Sequence, residues 1–231
     1  MFKILKRGSN NSDLALELFS TLGIGKNSEL SPKATNILRQ CSHRTDVLKE
    51  MINLCQNPAT PKELYIVSTA YVWLGASYRQ LAIEYLNKYI NVGAYWDGFP
   101  SGDIDLFGYE ENQKDLNIAR VYYDLGQCYE KEYMLSEAII AYSTASKYEP
   151  HFAYYKVCVS NVYVKLGEYN HAIVNLINAR NSKYYTTYTY KTSDGVVHVN
   201  KDYINAIDSA MIDVEKKQKR GYKYKPKPMR N

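Results

Sequence analysis

The sequence predicts an all-α chain: a superhelical array of antiparallel helix pairs with a small C-terminal β-hairpin and a capping helix. Three observations carry this expectation. Small residues and aromatics between positions 119 and 179 recur with a period of about 34 residues. Polar caps followed by proline, Ser31-Pro32 and Thr60-Pro61, open helices ahead of that region. The chain of 231 residues is 45% hydrophobic and 23% charged, enough to bury a core and close to a globular average.

Residues 1–59 read as an N-terminal helical cap. Ser12 to Ser20 makes a short amphipathic helix, Ser31-Pro32 starts a second through about Arg39, and Thr45 caps a third. In the third, Val47, Leu48, Met51, Ile52 and Leu54 gather on one side. Residues 60–184 hold the repeats. Thr60-Pro61-Lys62-Glu63 combines an N-cap, proline at the first helical position and the acid of a capping box. Val67, Ser68 and Tyr71 follow on a first helix, then Gly75, then Ala82, Leu86 and Tyr89 on a second, about two residues late. A long insertion spans 93–110. The central copy reads Tyr122-x2-Leu125-Gly126-x2-Tyr129, Ala138-x3-Tyr142, Ala145 and Pro150. One period on, Ala119 meets Ala153, Leu125 meets Val159, Gly126 meets Ser160 and Tyr129 meets Tyr163. Ala138 likewise meets Ala172, Ile139 meets Ile173 and Ala145 meets Ala179. Small residues belong where two helices approach closely, and aromatics fill the space beside them.

Residues 185–220 read as a hairpin and a capping helix. Thr and Tyr alternate through Tyr185–Lys191, Asp194-Gly195 signals the turn, and Val196–Val199 returns. Asn200 then caps a helix with Ile204, Ile207, Met211 and Val214 facing inward. Residues 221–231, with Pro226 and Pro228, read as a loose basic tail.

The pattern at 61–92 and 119–184 resembles the tetratricopeptide repeat family, with Tyr122 where that family often has tryptophan. The resemblance implies a right-handed superhelix whose first helices line a concave groove for a peptide or partner protein. By motif position that face holds Lys62, Tyr65, Thr69 and Val72, then Arg120, Tyr123, Gln127 and Glu130, then Tyr154, Val157, Asn161 and Val164. The candidate partner-binding residues are Tyr65, Thr69, Arg120, Tyr123, Gln127, Tyr154 and Asn161. The family's carboxylate clamp of Lys, Asn and Arg is replaced by Tyr65, Thr69, Asp124, Tyr154 and Cys158, so carboxylate capture is not expected.

Signatures of catalysis are sparse. His43, His151, His171 and His198 are scattered without metal spacing. Cys41, Cys55, Cys128 and Cys158 form no CxxC pair and read as reduced structural thiols. There is no Gly-x-Ser-x-Gly elbow. Gly23-Ile24-Gly25-Lys26-Asn27 fails as a phosphate loop, because Ser20 stands where its first glycine belongs and Asn27 where Ser or Thr must follow the lysine. The insertion is rich in aromatics, and Trp96, Phe99, Asp103, Asp105 and Phe107 are its candidate contacts. Its Asp103-x-Asp105 pair suits a divalent metal, but no nucleotide-binding βαβ pattern accompanies it. Neither an enzyme, a metal nor a cofactor is expected.

Charge is concentrated at one end. Eight of the 29 basic residues lie in 216–231, which has no acid, so the remaining 21 face 24 acids and the body is near −3. In the tail, Lys223, Lys225, Lys227 and Arg230 interleave with tyrosines, a pattern that suits nucleic-acid phosphates and bases. A solubilising extension is the simpler use. The N-terminus lacks an export signal and no stretch spans a bilayer, so a cytoplasmic chain without a membrane role is expected. The leading expectation is a non-enzymatic adaptor or regulator that binds protein. A nucleic-acid-associated protein and an accessory enzyme subunit are the alternatives, and the oligomeric state is not readable.

Overall fold

The structure is a computed structural model that describes residues 44–93, 113–182, 189–191, 197–199 and 201–222. The expected helices before Arg44, the phosphate-loop candidate, the contacts of the 93–110 insertion and tail residues 223–231 lie outside the described residues. Eight α-helices and two short strands are present among them. The chain divides into two compact units, the first containing described residues 44–93 and 113–117, the second the described residues from 118 onward.

In the first unit, α1 (Thr45–Leu54) packs on α2 (Pro61–Leu74), and α2 on α3 (Arg79–Val92). Thr45 does not cap α1. The N-cap is Arg44, whose side chain instead grips Asp46 at 2.9 Å. The capping box of α2 is complete: Glu63 N–H donates to Thr60 Oγ1 at 3.3 Å, and Glu63 Oε2 accepts from Thr60 N–H at 3.0 Å. α2 is buried along nearly its whole length, from Leu64 to Tyr71. The two-residue delay of the second helix has a physical cause. A 3₁₀ turn, Ala76–Tyr78, stands between Gly75 and α3, after which Ala82, Leu86 and Tyr89 turn inward.

The second unit is a run of helices packed in adjacent pairs, a helical repeat fold. It contains α4 (Gln113–Lys131) from residue 118, α5 (Leu135–Tyr148), α6 (Tyr154–Leu166), α7 (Tyr169–Arg180) and α8 (Lys201–Lys219). α5 packs on α6, α6 on α7 and α7 on α8. The repeated small positions Ala119, Ala138, Ala145, Ala153, Ala172 and Ala179 are all fully buried. Between α4 and α5, Gly126 lies under the Tyr142 ring so closely that a Cβ there would stand 2.6 Å from Cδ1. One period later these positions hold Ser160 and Leu176, both buried: a larger residue on the first helix and a smaller one on the second.

The last repeat is covered by α8, which buries Ile207 and Val214 against Ala153, Tyr169, Ala172, Leu176 and Ala179. Arg180 holds Asp208 at 2.9 Å, Gln218 Nε2 donates to Asn170 Oδ1 at 2.8 Å, and Tyr169 Oη donates to the Tyr222 carbonyl. Between α7 and α8, β1 (Thr189–Lys191) and β2 (Val197–Val199) pair antiparallel, Tyr190 opposite His198. The Asp194-Gly195 turn lies outside the described residues.

Candidate functional site

The first helices of the two complete pairs present equivalent residues. Arg120, Tyr123 and Gln127 lie three and seven residues apart along α4, one helical face. Tyr154, Val157 and Asn161 repeat that spacing on α6. The two faces meet directly. The ring of Tyr123 lies 5.9 Å from that of Tyr154 and 5.6 Å from that of Tyr155, with Tyr142 behind it at 5.9 Å. Tyr123 and Tyr154 also share a side-chain hydrogen bond.

Electrostatics keep this aromatic wall neutral and fixed. Burial raises the Tyr123 phenol above its ordinary value, and the Tyr154 neighbour adds to the rise. Burial likewise raises Tyr142 and Tyr155, followed for each by the carboxylate it faces. Tyr142 Oη donates to Glu130 Oε2 at 2.7 Å, and Tyr155 Oη to Glu149 Oε2 at 2.9 Å. Gln127 Nε2 donates to Tyr123 Oη. The Cys158 thiol, bonded to Tyr154, is pushed up to about 12 by burial and then by Glu130, so it stays protonated and inert.

Charge sits at the edges of the wall. Arg120 is 57% exposed, its guanidinium 5.4 Å from the Tyr123 ring centroid and its Nε 3.5 Å from Asp124 Oδ2. Asp124 is buried, which pushes its carboxyl above the usual range while Arg120 opposes. At the other end Lys165 Nζ donates to Glu130 Oε1 at 2.7 Å. Glu130 therefore joins α4, α5 and α6 through two bonds. Sequence reading missed this joint, although Lys165 stands one period and one residue after Glu130, with opposite charge. Asn161 is exposed.

The first unit departs from expectation. Tyr65 and Thr69 are each 4% exposed, in the core rather than on an open face. Tyr65 packs edge-on against Tyr89 at 5.7 Å, and Lys62 is buried as well. Of the seven candidate groove residues, Arg120, Tyr123, Gln127, Tyr154 and Asn161 lie on the first helices of the second unit, and Tyr65 and Thr69 lie in the core of the first. No group of His, Cys, Asp and Glu among the described residues is placed to hold a metal. No described helix is long and apolar enough to cross a membrane.

No protein-family model matches the chain. No curated protein matches it either. Among solved structures the chain is similar to one described as the crystal structure of MamA protein, with 16% identity, 94% of this chain and 99% of that chain covered, and a TM-score of 0.45. A likeness of that size carries no weight here, and the repeat fold stands on the packing described above.

Proposed function

We propose that the chain is a non-enzymatic interaction module of the tetratricopeptide type, an adaptor or regulator that takes an extended peptide or partner segment on the face built by α4 and α6. The observation that carries this reading is the joined pair of Tyr123 and Tyr154, which makes one continuous wall of two successive repeats. Rigid aromatics give contact area at small entropic cost and dominate binding hot spots. Exposed Arg120 and Asn161 at its borders supply polar contacts that fix the register of a bound chain. The inert thiols and engaged carboxylates favour binding over chemistry.

The test is a selection from a displayed peptide library against the full chain. The selected peptide is then titrated into the wild type and into an Arg120→Glu, Asn161→Arg double variant. Both substituted side chains are exposed, but Arg120 also pairs with the buried Asp124, so melting should fall somewhat, and circular dichroism must show the variant fully folded at the temperature of the titration. The expected result is an affinity at least tenfold weaker for the variant. Equal affinity would remove the proposed face from recognition.

A further inference from the structure

Lys88, Lys165 and Lys217 each donate to a carboxylate, at 2.6, 2.7 and 2.6 Å, and such a partner holds an amine in its charged form. Lys156 is built differently. It is the third residue of α6 and is partly buried. Its Nζ donates to the Pro150 carbonyl at 2.6 Å and to Ser182 Oγ at 2.8 Å, both neutral acceptors. Ser182 is itself buried, and its hydroxyl donates onward to Asn178 O at 3.0 Å, which leaves its lone pairs to accept from Lys156. The charged groups at the ends of the flanking helices are engaged elsewhere. Glu149, after α5, accepts from Tyr155 Oη, and Arg180, at the end of α7, holds Asp208.

The number of acceptors matters. An ammonium carries three N–H donors, whereas a neutral amine carries two and a lone pair. Two donors are what this site asks for, so the neutral amine satisfies both acceptors and keeps its lone pair unused. A charge in the first turn of α6 would also lie against the positive end of that helix. Burial, with no carboxylate among the described residues to offset it, accordingly lowers the Lys156 amine from its ordinary value. Lys62 is lowered by burial too, but it lies in the core of the first unit, where a reagent does not reach it.

We propose that Lys156 is a nucleophilic amine, the site at which the chain takes an acyl group from an activated carboxyl compound, a thioester or an acyl phosphate. The amine nitrogen attacks the carbonyl carbon and forms the C–N bond. The bond from that carbon to sulfur or to the phosphate oxygen breaks, the thiolate or phosphate leaves with the electron pair, and one amine proton passes to water. The product amide has a single N–H, so one of the two acceptors loses its donor. Lys156 joins Pro150 of the α5–α6 turn to Ser182 beyond α7, and acylation loosens that tie. This inference does not depend on the peptide face of α4 and α6.

Acetyl phosphate, which acylates amines without an enzyme, is the probe. The folded full chain is labelled near neutral pH to less than one acetyl group per molecule, and each lysine is read by peptide mass spectrometry. Lys156 should react at least threefold faster than Lys147 and Lys219, which are exposed. In the chain unfolded by guanidinium chloride the preference should vanish, because it comes from the fold and not from the neighbouring sequence. A smaller preference in the folded chain, or one that persists after unfolding, would overturn the proposal.

Discussion

Gly126 and Tyr142 show how far single residues set the helix spacing. The ring occupies the space that a Cβ would need, and its hydroxyl is held by Glu130, so the ring has little freedom to move aside. Gly126→Ser should therefore overpack the α4–α5 contact at a cost of about 1–3 kcal/mol. The equivalent positions Ser160 and Leu176 show an alternative that fits. In a Tyr142→Leu background the serine should be tolerated, giving a favourable coupling of about 1 kcal/mol or more between the two changes. Urea unfolding of both single variants and the double variant measures this; additivity would mean that the ring does yield. The recurrence of the small residues was legible in the sequence because small residues at fixed spacing have few other uses; the exchange of Tyr142 for Leu176 opposite them was not read. The burial of Tyr65 and Thr69 was not. Position in a repeat assigns a face, but not what packs against it. Thr69 Oγ1 and Ser160 Oγ are buried without a hydrogen-bond partner among the described residues, a cost that a sequence does not reveal.

At the scale of elements, helix starts and stops were read with uneven success for a physical reason. The Thr60 box satisfies two backbone donors through side chains, so its residues are specific and visible. The starts of α5, α6 and α7 have no side-chain cap, and their positions come from tertiary packing and the preceding turns. The 3₁₀ turn before α3 and the left-handed Tyr133 carry no local signature; Gly75 advertised its turn and Tyr133 did not. The final helix was legible from its apolar spacing, and α8 does cover the last repeat with Ile207 and Val214. Ile207→Ala should cost about 2–4 kcal/mol, since it opens a cavity beneath a fully buried side chain. Thermal unfolding followed by circular dichroism reads the loss. A change below about 0.5 kcal/mol, small for a core position, would show that α8 is not part of the cooperative core.

For the whole molecule, composition and function separate cleanly. The basic excess belongs to the C-terminal end: Lys216, Lys217, Lys219 and Arg220 end α8 and its turn, and with Lys223, Lys225, Lys227 and Arg230 set apart the remaining 25 basic residues nearly balance 24 acids, so general attraction to polyanions is not a property of the repeats. What the repeats offer is a neutral aromatic wall bordered by Arg120 and Asn161. The alignment of Arg120, Tyr123 and Gln127 with Tyr154, Val157 and Asn161 was legible because the 34-residue period fixes which residues of successive first helices correspond. The Glu130 bridge that braces them spans three helices and becomes visible only in the fold. Hydrogen–deuterium exchange of the full chain, with and without a selected peptide, tests the central claim most directly. Protection should concentrate on the α4 and α6 segments Arg120–Gln127 and Tyr154–Asn161. Protection confined to the outer faces of α5 and α7, around exposed Ile140 and Val174, would contradict the assignment of the face.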